Sequence, residues 1–166
     1  MFERISRRER FDLIIAWFAI SIAFSLIFVR PGGANLERYL LFLVLSMVTV
    51  GVGFVLHELA HKFTAMHFGY WAEFRKDNIM LLVAVVLAAL VGVVFAAPGA
   101  TMIYGSGVTR EQNGKISAAG PVTNLLLCIP FAILLIVSGG LDPAYSSRSI
   151  LLTACMVGLQ VNAMIA

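Results

Sequence analysis

Long apolar runs of helical length, separated by short polar intervals, set the pattern of this chain. The first run covers 11–29, nineteen residues interrupted only by Asp12 near its start. It follows Arg4, Arg7, Arg8 and Arg10, as a signal peptide would, but its apolar part is longer than the usual h-region. Val29-Arg30-Pro31 offers no small-residue cleavage site, so a retained helix is expected, stopped at Pro31-Gly32-Gly33. A second run is uncharged for eighteen residues over 39–56. It continues through His57-Glu58-Leu59-Ala60-His61 to about Phe68, with Gly69 as the expected stop. Further apolar stretches cover 79–100, 116–137 and 149–166.

The stretch at 79–100 is the ambiguous one. Residues 80–90 read as a helix, whereas 92–104 carries strand formers around Pro98-Gly99. The positive-inside rule arbitrates. If the stretch crosses, seven cations (Arg4, Arg7, Arg8, Arg10, Arg75, Lys76, Arg148) lie inside and four (Arg30, Arg38, Arg110, Lys115) outside. If it dips in and returns, Arg110 and Lys115 move inside and Arg148 moves out, giving eight against three. The re-entrant reading scores better. Irregular backbone at membrane depth must be satisfied by protein or by a water-filled cavity, so a cavity is expected nearby.

Composition agrees with that pattern: 60% of the 166 residues are hydrophobic and 13% charged, with a mean hydropathy of +0.94. A soluble domain carries about a quarter charged residues. The net charge of +3 is scattered, with no phosphate-tracking stripe, so nucleic-acid binding is not expected. Cys128 and Cys155 both lie in apolar stretches and read as buried thiols. The expectation is an all-α polytopic membrane protein, one domain over 1–166. It has about four transmembrane helices plus a membrane-embedded re-entrant helix/β-hairpin segment at about 79–104.

Titratable side chains inside a span are costly and are functional candidates by default. Here His57, Glu58 and His61 come together. On a helix, residues i and i+4 are offset by about 40° and about 6 Å along the axis, which lets two imidazoles reach one zinc ion. Glu58, one residue on, is placed to take a proton from water without being a ligand. The competing explanation is a pair of histidines snorkelling at a helix end, with Glu58 neutral or paired to Lys62. The eighteen residues before His57 rise about 27 Å, nearly the hydrocarbon thickness. With the N-terminus inside, that puts His57 toward the cytoplasmic side, within reach of water. His67 reads as an interfacial histidine.

Three segments in this order resemble the site-2 protease family of intramembrane zinc metalloproteases. His57-Glu58-Leu59-Ala60-His61 matches its zinc motif on a transmembrane helix. Phe95-Ala96-Ala97-Pro98-Gly99-Ala100 is similar to its membrane-embedded strand region. Ala119-Gly120-Pro121-Val122-Thr123-Asn124 resembles the Ala-Gly-Pro-x-x-Asn signature of its next core helix. The resemblance implies Zn2+ on His57 and His61, Glu58 as catalytic base, and Asn124 near the site. Asn124 there either positions the substrate backbone or is a helix-packing amide. Gly120 and Pro121 read as close-packing and helix-start residues. The resemblance also implies a third ligand, an aspartate in a later Asp-Gly motif beyond an Asn-x-x-Pro-like break. The segment from Val161 to Ala166 resembles the approach to that break, so the aspartate is expected beyond residue 166 and the sequence is expected to be C-terminally incomplete. Asp142 falls in a loop opposite His57 in this topology and is not given the role.

The expected activity is a zinc metalloendopeptidase of regulated intramembrane proteolysis, acting on a transmembrane protein or peptide within the lipid bilayer. A prokaryotic cell membrane with the N-terminus cytoplasmic fits the compact size. The alternative is a catalytically silent membrane protein of the same fold that binds client helices. A metalloprotease of another family sharing only HExxH would lack the other two segments. A transporter is disfavoured because the titratable residues sit on one helix instead of lining a path across the membrane.

Overall fold

The computed structural model describes residues 5–30, 35–94, 98–138 and 150–165. Arg4, the stop at 31–33, Phe95 to Ala97 of the strand-like motif, Asp142 and Arg148 lie outside the described residues. Side-chain caps fix most helix starts by satisfying orphan N–H groups. Ser6 Oγ accepts from Glu9 N at 3.1 Å and opens α1 (Arg7–Val29). Asn35 Oδ1 accepts from Arg38 N at 2.8 Å and opens α2 (Leu36–Ser46). A π-helical turn at Met47–Gly51 then leads directly into α3 (Val52–His67), making one apolar helix of 32 residues. At about 48 Å it exceeds the hydrocarbon thickness of about 30 Å. It ends at Gly69, whose φ of 88° suits a residue without Cβ.

Strand β1 (Trp71–Lys76) follows, then α4 (Asn78–Leu90), β2 (Gly99–Tyr104), α5 (Arg110–Val137) and α6 (Ile150–Ile165). Asp77 caps α4 by accepting from Ile79 N and Met80 N. A reciprocal Thr109–Gln112 capping box opens α5. Among the described residues, α1, the 36–67 helix and α5 are long and apolar enough to cross a membrane, while α4 and α6 are shorter apolar helices.

The two strands form an antiparallel pair, with Trp71 opposite Tyr104 and Lys76 opposite Gly99. This departs from the hairpin expected within 79–104, because the partner of β2 is 71–76, which the sequence pattern passes over as a polar interval. Its charges obscure it, and in the fold they find partners in place. Arg75 pairs with Glu73 and lies 3.5 Å from Asp12 of α1, and Lys76 donates to Asn78. Asp77 N donates to Pro98 O at 3.1 Å, so the segment between them leaves the sheet and comes back to it. At its far end Arg30, just past α1, donates to the carbonyls of Ala89 and Leu90, capping α4.

The π turn has its own partner. Trp17 Nε1 donates to Met47 O at 2.9 Å, and a Cβ on Gly51 would strike the Trp17 indole. A buried apolar cluster that includes Ile20, Phe24, Val50, Phe54, Phe74 and Val161 forms where α1, α3, β1 and α6 meet. The N-terminal end of α1, the C-terminal end of α3, the sheet and the start of α5 share one end of the molecule. Lys62 on Glu9, Asp12 on Arg75 and Tyr70 on Gln112 tie them there.

Candidate metal centre

Helices α3 and α5 pack antiparallel, and their contact has a period of four on both sides. On α3 it presents His57 and His61, with ring centroids 4.7 Å apart. On α5 it presents Ile116, Gly120 and Asn124. The Nδ1 of His61 donates to the Ile116 carbonyl at 2.7 Å. A carbonyl only accepts, so His61 carries a proton on Nδ1, and the neutral ring then has its lone pair on Nε2. The Nδ1 of His57 lies 3.1 Å from the Asn124 amide. Gly120 sits between them, and a Cβ there would meet the Nε2 atoms of both imidazoles. The two Nε2 atoms therefore face one common point, and only glycine leaves it open. Two imidazole Nε2 atoms on one point, each ring with its other nitrogen held by an outer partner, fit zinc.

Glu58 is buried, 8% exposed, and faces β2. The Thr101 hydroxyl donates to its Oε2 at 3.0 Å and lies 3.2 Å from its main-chain carbonyl. Two cavities meet at this carboxylate. One of about 270 Å³ is lined by His61, Thr101, Ile116 and Ser117. The other, of about 250 Å³, is apolar and lies between Phe24, Phe54, His57 and the last turn of α6 at Met164 and Ile165. Helix α6 comes this close because Gly53 of α3 accepts it, a Cβ there meeting Asn162 Oδ1. Among the described residues no third histidine, cysteine, aspartate or glutamate completes a metal-binding group. His67 is exposed and packs its ring on Phe68 at 5.5 Å, away from the pair. Both cysteines are free thiols, Cys155 buried and Cys128 half-buried.

Over 134 residues the chain is 40% identical to a Methanocaldococcus jannaschii protein named "Putative zinc metalloprotease". The likeness takes in 81% of this chain, which spans 65% of the length of that relative. No family model matches the sequence. No solved structure matches it either.

Lys62 does not pair with Glu58. Its Nζ lies 2.6 Å from Glu9 Oε2 and donates to Ala72 O at 2.8 Å, while Glu9 Oε1 accepts from Phe74 N at 3.0 Å. Both side chains are fully buried. The N-terminal helix thus grips the helix of the histidine pair and strand β1 through one ion pair, a role the sequence reading does not assign to it. The available signal is a single glutamate among arginines at Arg7-Arg8-Glu9-Arg10. Thr101 was missed as well, and so was the spacing of four that joins Ile116, Gly120 and Asn124, readable once laid against His57 and His61.

Proposed function

We propose that this chain is an intramembrane zinc metalloendopeptidase of the site-2 protease type, hydrolysing peptide bonds in or near transmembrane segments. One observation carries the reading: two imidazole Nε2 atoms facing one point over Gly120 on an apolar helix of 32 residues, with Glu58 beside them. His57 and His61 would hold the zinc, with a further ligand drawn from outside the described residues. The cavity at the end of α6, which His57 and Glu58 share, is where that ligand would enter. Bound zinc supplies Lewis acidity toward water and the scissile carbonyl. Glu58 takes the proton of the attacking water and delivers it to the leaving amide nitrogen. Thr101, bonded to Oε2, orients the carboxylate for that transfer.

A transmembrane helix hides its carbonyls in its own hydrogen bonds, so the substrate must unwind before attack. Strand β2 pairs with β1 on one side, and Thr101 brings it against Glu58. The second edge of β2 would take up the unwound segment by strand addition, satisfying its backbone within the membrane. The arrangement also places Arg7, Arg8, Arg10, Arg75, Lys76, Arg110 and Lys115 at one end and Arg30 and Arg38 at the other. By the positive-inside rule the first end would be cytoplasmic, and the stretch that begins with α4 would be the re-entrant one.

The test is cleavage of transmembrane peptides by the full-length protein in proteoliposomes. Peptides with Gly, Pro or Asn near the cut should be processed faster than an all-leucine helix, and a zinc chelator should stop both. Equal rates on the two peptides would remove the unwinding step. Capture of peptides without cleavage, with zinc present, would instead support the client-binding alternative.

A further inference from the structure

We propose that Asn124 is a positioning residue for His57: its Oδ1 accepts from Nδ1–H and fixes the tautomer whose Nε2 lone pair faces the metal. The inference rests on the zinc reading above and assigns Asn124 to the metal rather than to the substrate backbone. Asn124 is fully buried and lines neither of the cavities that meet at Glu58. Among the described residues its one side-chain hydrogen bond is with His57 Nδ1, at 3.1 Å.

The direction of that hydrogen bond decides the chemistry. A carboxamide presents either its NH2 or its oxygen, and the two placements share one outline. If the NH2 donates to Nδ1, the proton of His57 is on Nε2, at the point where His61 Nε2 presents its lone pair. Asn124 Oδ1 then stays buried with no partner. With the amide turned over, Oδ1 takes the Nδ1 proton and the NH2 moves into the position where Oδ1 found no partner among the described residues. Both Nε2 lone pairs then converge over Gly120. Lone pairs facing one point repel each other until a cation sits between them, so this placement selects for a metal ion. Helix α5 thereby treats the two imidazoles alike, with the Ile116 carbonyl for His61 and the Asn124 oxygen for His57, eight residues apart on one face.

Three measurements on the full-length protein in lipid nanodiscs test this, using Zn2+ and Co2+ as probes. In Asn124→Leu, zinc affinity measured against a competing chelator should fall about 10- to 100-fold, the usual effect of losing an outer-shell partner. In Asn124→Asp it should stay within a few-fold of wild type, because a carboxylate also accepts from Nδ1–H, and the Co2+ absorption bands should keep their shape. In the zinc-loaded protein, the Nδ1–H proton of His57 should show the downfield shift and slow solvent exchange of a hydrogen-bonded N–H, both lost in Asn124→Leu. His61, held by the Ile116 carbonyl, should stay Nδ1–H in every variant and so report that α3 and α5 still pack. Wild-type affinity in Asn124→Leu overturns the proposal, as does an Asp variant as weak as the Leu variant, or a His57 Nδ1–H that shows no hydrogen bond in the zinc-loaded protein. A wild type that takes up no zinc removes the metal reading and this inference with it. Tight zinc binding without proteolysis would sink only the protease reading.

Discussion

Helix α3 carries two polar clusters on different faces, one fully buried and one half-buried, and they are finished to different degrees. On the face toward α1 and β1, Lys62 and Glu9 satisfy each other and take up the Ala72 carbonyl and the Phe74 N–H. On the face toward α5, Asn124 Oδ1 has no partner, and neither imidazole Nε2 has one among the described residues. Buried polar groups are normally paired, so the exceptions need a reason. Adjacent residues of one helix, His61 and Lys62, thus fall on opposite sides of the distinction. Lys62 closes a structural joint, whereas His61 and its neighbours leave acceptors open for something else. Both faces are polar in a chain that is 60% hydrophobic, so polarity alone does not separate them. Completeness of hydrogen bonding does.

The sharpest way to break this comparison is to alter one group on each face. On the α5 side, Glu58→Gln should lower kcat on a reconstituted transmembrane peptide by about 10²- to 10⁴-fold, the range for losing a general base. The unfolding midpoint should not move, since the amide still accepts from Thr101. Retention of activity within a few-fold would remove Glu58 from the chemistry. On the α1 side, Lys62→Met leaves Glu9 buried and unpaired, which costs about 3–5 kcal/mol of stability. Denaturation in detergent micelles measures it, and the double variant Glu9→Gln/Lys62→Met should recover most of the loss. A double variant as unstable as the single one would mean the two side chains are not coupled.

Gly120→Ala gives a smaller but more telling effect. Alanine is favoured over glycine in a helix by about 1 kcal/mol, so the fold itself has no reason to weaken. The added methyl nevertheless meets both Nε2 atoms. Zinc affinity, read by chelator competition, should drop by about tenfold or more, comparable to an outer-shell change, while helix content is kept. Unchanged affinity would mean that the two nitrogens do not share a ligand at that point.

How much of this was legible beforehand follows from how each part is encoded. The helices at 7–29, 36–67 and 110–137 are written as long apolar runs, and the His57/Glu58/His61 group as a fixed spacing on one of them. Local signals of that kind survive without tertiary information. Strand β1 was not legible, because Glu73, Arg75 and Lys76 read as solvated charges until Asp12, 63 residues before Arg75, is brought beside it. The same holds for Glu9, whose partner lies 53 positions away. The π turn at Met47–Gly51 leaves no mark in hydropathy, since the added residue changes the helix's phase and not its apolar character. Asn124 stood out through a motif, but its contact with His57 depends on the packing of two helices.

Thr101 offers the smallest perturbation. Replacing it by valine keeps the branched shape and the strand preference, and it removes only the hydroxyl that donates to Glu58 Oε2. A hydrogen bond to a charged group contributes about 1.5–3 kcal/mol when buried. This one borders an open cavity where water can substitute, so the lower end applies, equivalent to about tenfold in kcat. The split between constants is the informative part. If Thr101 orients the base, kcat falls and KM holds, because the strand edge that would receive substrate is unchanged. If KM rises while kcat holds, the hydroxyl belongs to the substrate contact, and the carboxylate is then held by the α3 backbone alone. The unfinished face of α3 would in that case extend one residue further onto β2 than its hydrogen bonds indicate.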